Sequence, residues 1–493
     1  MVSQKLDKFL LYRLRFVLAY LLFSVALATL LIVAGFYLPG GLTDGEIESA
    51  LISDNLNPTR LFSLLPEELL YLPYRLLQAA SIAVFDFSSI SIKLPSIILG
   101  IASALGILYL LNLWYRRNVA IVGAIVAVTT NQFLLTSQAG HAGITYIFLT
   151  TYILIAASMI ARRSAYARIW VIVGFILAAI SLYMPLNLYM LLALLITAFI
   201  HPHARHLLLR KSSKPIVLLG SVIFLALISP LVLGLVHDIS LVPTLLGIPT
   251  DWSAIWPNLQ ELFNQYARFY EPRSGAVLVP IYGLGIVLLI LLGLYRLVTT
   301  KYTTKSYIIS FWLVLLIPLV ILNPSFISIT FVPVVLLLAL GIDYLIWSWY
   351  RLFPRNPYAR VFGLLPLAVL IAGLAISNVD RYVYGFHYDK EVYAAYNFDL
   401  GVLTNELKNI DKNETVYLVV SPENAAFYAN FSKHQNYVSS LQVVSTSKGL
   451  SPESTLIVER SLHSQVNRIP SKIIVSRASH DADRFYLYKK ATN

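Results

Sequence analysis

Cysteine is absent from all 493 residues, which excludes disulfide frameworks, thiolate metal sites and cysteine nucleophiles together. Compartment stays open, because a cysteine-free chain suits either redox environment. Charge is scarce as well. Asp, Glu, Lys and Arg make up 13% of the chain, about half the ~25% of a soluble domain. So few charges cannot cover a water-exposed surface for a protein of this length. What fills the chain instead is apolar: 58% of residues are hydrophobic and the mean hydropathy is +0.71. The expectation is a polytopic membrane protein. The first apolar run is long and has no small-residue cleavage site, so the amino terminus reads as a span and not as a removable signal.

Apolar runs of spanning or near-spanning length fall at about 16–38, 88–113, 119–135, 142–160, 169–184, 186–200, 215–236, 276–298, 306–322, 326–349 and 361–379, about eleven in all. The net charge of +12 could indicate nucleic acid, but its distribution indicates topology. With the amino terminus cytoplasmic, the inside segments carry 19 basic residues. They are Lys5, Lys8, Arg13, Arg15, Arg116, Arg117, Arg162, Arg163, Arg168, Arg205, Arg210, Lys211, Lys214, Arg296, Lys301, Lys305, Arg351, Arg355 and Arg360. The outside loops before the tail carry only Arg60, Arg75, Lys93, Arg268 and Arg273, as the positive-inside rule requires. Residues 69–87 could be taken for a twelfth span, which would invert every later loop. Pro73, Arg75 and Gln78 in mid-segment favour a helix lying in the interface, its polar groups reaching the headgroups.

The molecule is therefore divided into a transmembrane module, residues 1–379, and a soluble outer-face α/β domain, residues 380–493. Outer loops at about 39–87 and 237–275 join that domain on one side. The tail alternates strand-like TVYLVV, LQVVS, TLIVE, KIIVS and RFYLYKK with a helix-like EVYAAYNFDLGVLTNELKNI. In the later loop, Leu259, Leu262, Phe263, Tyr266 and Tyr270 recur at helical spacing, predicting an amphipathic helix on the membrane. It could cover a lipid donor or plug the bundle.

Acids near a membrane are rare enough that each one counts. The first outer loop opens with PGGLTDGEIESALIS. Thr43 and Glu46 have capping-box spacing, and Asp44 suits the positive end of a helix dipole. Asp44 is equally a carboxylate held at the water boundary as a general base, and a cap can fix the helix that presents it. His141 stands at an outer turn between short spans, either as a hydrogen-bonding filler or as a ligand contact. His201, His203 and His206 have the look of a metal cluster but lie in a basic inside loop, which favours solvated surface. Asn413 and Asn430 fit a glycosylation pattern that occurs often by chance.

A first span, an acidic pair opening a long outer loop, interfacial helices and then a second span together resemble the GT-C superfamily of membrane glycosyltransferases. Within it the chain is similar to the protein mannosyltransferase and aminoarabinose transferase branch. TDGEIESA at 43–50 occupies the place of that branch's Asp-Glu motif, with Gly45 separating the acids. LPYRLLQAASIAVFDFSSISIKLPSIILGI, LLTSQAGHAGITYIFLT and SLYMPLNLYMLL follow in the branch's order over about residues 15–200. Two departures stand out. His141 and Gly143 occupy a turn where many relatives have Arg and then Asp or Tyr. Tyr71 and Leu72, with Arg75 just after, replace an expected Lys.

The resemblance implies a plasma-membrane enzyme of the cell envelope that moves a sugar from a polyprenyl-phosphate donor to a lipid, glycan or protein acceptor on the outer face. No nucleic acid is involved. Asp44 would be the base, with Glu46 positioning it or, with it, holding a divalent cation; no cofactor is otherwise implied. Arg75, Lys93, Arg268 and Arg273 would stabilise the leaving phosphate, with His141 and Tyr266 near the substrate. The rival is a non-enzymatic transporter or flippase of lipid-linked sugars, which should show polar groups or broken helices near mid-membrane; Asp343 is the nearest candidate.

Overall fold

The computed structural model describes residues 14–489 apart from 38–40, 58, 60–61, 63, 163–165, 203–204, 206–213, 250–251, 270–272, 275–277, 301–302, 353–356, 389–394, 397, 399, 447–449, 451–453 and 476–482. Lys5, Lys8, Arg13, Arg60, Arg163, Arg210, Lys211, Lys301 and Arg355 of the basic tally lie outside the described residues, as do His203, His206 and Tyr270.

Helices dominate. In order they are α1 (Leu14–Tyr37), α2 (Asp44–Asp54), α3 (Leu72–Phe85), α4 (Ser89–Trp114), α5 (Arg117–Val128), α6 (Asn131–Gln138), α7 (Gly143–Ala161), α8 (Ala167–Ser181), α9 (Asn187–Ile200) and α10 (Lys214–His237). Then come α11 (Ile255–Ala267), α12 (Leu284–Thr299), α13 (Thr304–Leu322), α14 (Phe331–Leu352) and α15 (Pro357–Tyr388). Each apolar run read from the sequence contains a helix, although the run read from 276 becomes helical only at Leu284, after a short strand at Leu278–Val279. By length and apolarity six helices qualify as spans among the described residues, or seven when α5 and α6, bent by 63° at a short break, are taken as one. Four shorter apolar helices stand where the other runs fall, at Phe23–Ile32, α8, α9 and α12.

The outward faces confirm an apolar surround. On α10, Leu218, Val222, Leu225 and Val236 are all more than half exposed. A soluble protein would not leave such a belt in water. Within the bundle, α12 and α14 cross so closely that a Cβ at Gly293 would lie 1.9 Å from the Leu337 carbonyl oxygen, and one at Gly341 2.1 Å from that of Leu289. Small residues permit this backbone approach, the usual way apolar helices gain packing where lipid competes for every contact.

Connections gather on two sides. Tyr71 N donates to Tyr183 O, Leu186 N to Leu245 O, Asn323 Nδ2 to Gly247 O and Gln132 Nε2 to Ile327 O, at 2.7–3.0 Å. These bonds knit the loops that the basic-residue count assigns to the outside into one face. At the opposite ends, Arg162 bonds Leu113 O and Lys305 bonds Trp114 O, while Thr304 meets His201.

The strand-like runs of the tail fold as strands, but residues 380–388 continue α15 and the helix read over 391–410 is shorter, with Phe398 in a bridge to Leu42. Helix α16 (Leu400–Lys408) precedes strands β1 (Thr415–Val419), β2 (Ser440–Val444), β3 (Thr455–Glu459), β4 (Lys472–Val475) and β5 (Asp483–Tyr488). The sheet order is β2-β1-β3-β5-β4, with β1 parallel to both β2 and β3, and β5 antiparallel to β3 and β4. One helix escaped the sequence reading: α17 (Ala425–His434) crosses between the parallel strands, burying Phe427, Tyr428 and Phe431. Parallel neighbours require such a crossover. The domain docks firmly on the first loop. Leu42 bridges to Phe398, Asp54 pairs with His434 at 3.0 Å, and Phe87 packs edge-on against Phe427.

Candidate active site

The first loop builds the site around α2. Thr43 takes an extended backbone and caps the helix, its hydroxyl accepting from Glu46 N while Glu46 Oε2 accepts from Thr43 N at 2.8 Å, so the capping box read from the spacing is present. The same carboxylate does more. Its Oε1 accepts from Gly140 N at 2.6 Å and lies 3.7 Å from Lys93 Nζ, both side chains being almost fully buried. Gly140 is needed there, since a Cβ would meet Ile92 Cγ2 at 2.7 Å. Glu46 is thus a strut between α2, α4 and the α6–α7 turn. With both its oxygens accepting from the chain and Asp44 exposed on the helix end, this pair does not offer a two-carboxylate cradle for a divalent cation. No group of three metal-ligating side chains is found among the described residues.

Lys93 is corrected accordingly. It donates to Gly41 O at 2.9 Å, lies 5.5 Å from the centre of the Tyr396 ring and is 3% exposed, so it is held inside the protein and not offered to a phosphate. Buried ammonium groups persist only when paired in this way.

Helix α3 has 14 residues, about 21 Å of rise, too short to span and in accord with the interfacial reading. Its polar groups, however, do not reach for headgroups. Arg75 and Gln78, three residues apart, share one helix face, and that face turns into the protein. Gln78 is fully buried and fully satisfied: its Oε1 accepts from Ser49 and Ser53 hydroxyls at 2.9 and 2.8 Å, and its Nε2 donates to Ile92 O and Gly140 O at 3.0 and 2.8 Å. Gln78→Leu would strand four polar partners. Stranded buried groups cost ~1–3 kcal/mol each, so a loss of about 3 kcal/mol or more is expected, visible as a lower Tm in detergent. A Tm unchanged from wild type would show that the hub is dispensable.

Arg75 differs from Gln78. It is 7% exposed, its Nη1 has no hydrogen-bond partner, and its guanidinium carbon lies 5.9 Å from the centre of the Tyr71 ring. Burial lowers its pKa, while Tyr71, Glu48, Glu67 and Glu68 act the other way. An unpaired donor in a buried cation is costly and calls for an anionic partner. The space beside it is a cavity of about 280 Å³ lined by Gly45, Glu48, Ser49, Tyr71, His141 and Tyr146, with Ser325 and Ser328 across from α2. Tyr71 enters it from a left-handed backbone (φ 60°), a strained conformation held by the bond to Tyr183 O.

A second cavity, about 160 Å³, shares His141, Ser325 and Ser328 with the first and adds Thr43, Glu46, Gln132 and Thr136. His141 therefore stands between the two. Burial lowers its pKa and so favours the neutral imidazole, while the Glu46 carboxylate acts in the opposite direction. Gly143 N donates to its Nδ1 at 3.1 Å, so the neutral ring carries its proton on Nε2.

Asp44 is exposed and lies one helical turn before Glu48. It lines neither cavity but a crevice of about 580 Å³ beneath the C-terminal domain, with Glu423, Asn424, Glu459, Arg460 and His463. That crevice opens at the carboxyl ends of β1 and β3, where Glu459 accepts from Ser421 N at 2.7 Å and from Asn424 Nδ2 at 2.8 Å. Open parallel sheets hold ligands at such ends.

The later loop contributes less than the sequence implied. Tyr266 bonds Thr330 at 2.7 Å and packs near Tyr282, while Arg268 lines neither cavity and the Arg273 side chain lies outside the described residues. Helix α11 is amphipathic as expected, with Trp256, Leu259 and Phe263 exposed on its apolar face. The polar residues that sequence reasoning missed are Glu48, Gln132, Thr136, Ser325 and Ser328. A signal was present for Gln132 and Thr136, since NQFLLTSQ is too polar for the middle of a span.

Residues 73–233, about a third of the chain, match the family described as dolichyl-phosphate-mannose-protein mannosyltransferase, which bears out the resemblance to the mannosyltransferase branch of the GT-C superfamily. That stretch contains Arg75, Gln78, Lys93 and His141 and begins after α2. No curated protein matches the chain in sequence. Among solved structures, ArnT from Cupriavidus metallidurans bound to undecaprenyl phosphate is 12% identical, with 95% of this chain and 97% of that one covered and a TM-score of 0.49. The Archaeoglobus fulgidus oligosaccharyltransferase tethered to an acceptor peptide is 12% identical, with 88% and 64% covered and a TM-score of 0.49.

Proposed function

We propose that this chain, a GT-C-type membrane protein with a mannosyltransferase-family segment at residues 73–233, transfers a sugar from a polyprenyl-phosphate donor to an acceptor at the loop-rich face. The observation that carries the reading is Arg75: a nearly buried guanidinium with an unpaired Nη1, lining a cavity large enough for a phosphate head. The donor phosphate sits against it. His141 Nε2 donates to the bridging region, and the sugar occupies the smaller cavity, where Gln132, Thr136, Ser325 and Ser328 offer hydroxyl and amide partners.

Direct displacement needs the acceptor on the side opposite the leaving phosphate. In this reading the donor occupies the cavity lined by Glu48 and the acceptor occupies the crevice lined by Asp44, one turn earlier on α2 under the C-terminal domain. An acceptor hydroxyl entering by the crevice gives its proton to Asp44 and attacks the sugar carbon. The carbon–phosphate oxygen bond breaks, and the charge left on the polyprenyl phosphate is met by Arg75. No step requires a metal. Glu48 lines the cavity together with Arg75 and supports a second reading in which it is the base.

The transporter alternative draws on the α5–α6 break, whose polar half lines the smaller cavity. Purified protein offered a panel of polyprenyl-phosphate sugars in micelles, with a cell-envelope lipid and glycan extract as acceptor, separates the two readings. An enzyme releases free polyprenyl phosphate without a membrane to cross, and a transporter leaves every donor intact.

The loop-rich face is extracytoplasmic in this proposal, on the strength of the 19-to-5 distribution of basic residues. The absence of native cysteine makes the check simple. Ser461→Cys in the C-terminal domain should react with an impermeant thiol reagent in intact cells, and Asn118→Cys in the first turn of α5 should react only after lysis. The reverse pattern would invert the whole molecule.

A further inference from the structure

At the end of the bundle remote from the catalytic cavities, helices α4, α7, α9 and α13 enclose a third hollow of about 440 Å³. Its walls are mostly apolar, with Leu113, Ala157, Leu194 and Ile308 among them, and Arg162 and Lys305 complete the lining. Both cations have a structural task, bonding the Leu113 and Trp114 carbonyls that end α4. A helix end carries only about half a negative charge, so two full cations exceed what capping requires.

Among the described residues little else nearby restores the balance. Neither residue is ion-paired among the described residues, and the one carboxylate in electrostatic range of Lys305, Asp343, also serves Arg116 and Arg296. A net positive rim beside an apolar hollow between helices matches an anionic head joined to hydrocarbon. Free phosphate would leave the apolar walls unused.

We propose that this cavity binds one anionic phospholipid of the adjoining leaflet, its phosphate at Arg162 and Lys305 and an acyl chain against Leu113, Ala157, Leu194 and Ile308. The site stands apart from the sugar chemistry and holds whether or not the chain is a transferase. It anchors the ends of four helices to the membrane's anionic lipid and makes their packing sensitive to lipid composition.

The test uses the full chain reconstituted in vesicles of equal phosphatidylglycerol and phosphatidylcholine, extracted gently and weighed by native mass spectrometry. Wild type should retain a single phosphatidylglycerol in preference to phosphatidylcholine by about thirtyfold, the value of two surface cations. Arg162→Gln with Lys305→Gln should bring the preference close to parity. Ala157→Trp, which keeps both charges and fills the hollow, should lose the retained lipid. Millimolar inorganic phosphate should not displace it. Parity in wild type, retention by the Ala157→Trp protein, or displacement by inorganic phosphate would each overturn the site.

Discussion

Arg75→Gln is expected to lower kcat/KM for the lipid donor by about 10²–10³-fold while leaving the Tm unchanged or slightly raised. Removing a preorganised charge that meets developing negative charge costs that much in rate. The stability sign runs the other way because Arg75 is a nearly buried cation with an unpaired Nη1 in the donor-free protein, and a neutral Gln removes that burden. A residue present for packing alone would lose stability and activity together. Arg75→Lys should recover part of the rate, since an ammonium supplies the charge without the guanidinium's fork. Arg268→Gln should alter turnover by no more than a few-fold, and its effect should add to that of Arg75→Gln, because Arg268 lines neither cavity. The decisive measurement is initial rate against donor concentration for the three single variants and the double. Wild-type kinetics in Arg75→Gln would remove the phosphate site.

Asp44→Asn carries the second large effect, a fall of about 10²–10⁴-fold in turnover at saturating donor, the usual contribution of a general base. Folding should be nearly unaffected. Asp44 is exposed, the Thr43–Glu46 capping box remains, and the loss of one favourable dipole contact costs only ~0.3–1 kcal/mol. Glu48→Gln is the necessary companion. On the main reading it raises donor KM modestly, through the changed field at Arg75, and leaves the proton step intact. If instead Glu48→Gln abolishes turnover and Asp44→Asn preserves it, the base is the carboxylate in the cavity, and the acceptor must enter from that side.

On the proposed reading α3 carries Arg75 to the donor, and the first turn of α2 carries Asp44 to the acceptor. The Gln78 hub holds the two helices in register through Ser49 and Ser53. A single buried amide thus fixes the spacing between the proposed base and the proposed leaving-group cation. Such positioning groups act on rate by geometry, and misplacement on the order of 1 Å is enough to cost 10²-fold.

The sequence by itself determined the class of the molecule, because hydropathy and charge are summed over many residues and survive errors at any one of them. The apolar runs gave helices, and the short alternating segments from TVYLVV onward became a five-stranded sheet. The Thr43–Glu46 box was also legible, since a cap is a contact between residues three apart and needs no tertiary partner.

Which polar groups were free and which were consumed was decided only by the tertiary structure. Arg75, Gln78 and Lys93 look alike in the sequence, as polar residues in or beside one apolar stretch. Gln78 is satisfied by Ser49, Ser53, Ile92 and Gly140, and Lys93 by Gly41 and Glu46, residues up to 62 positions away. Arg75 alone among them keeps an unpaired Nη1. The same holds for Glu48, Ser325 and Ser328, which meet in one cavity although more than 270 residues separate them. Local pattern is read along the chain, but hydrogen-bond saturation is a property of everything that surrounds an atom, and only the folded chain supplies it.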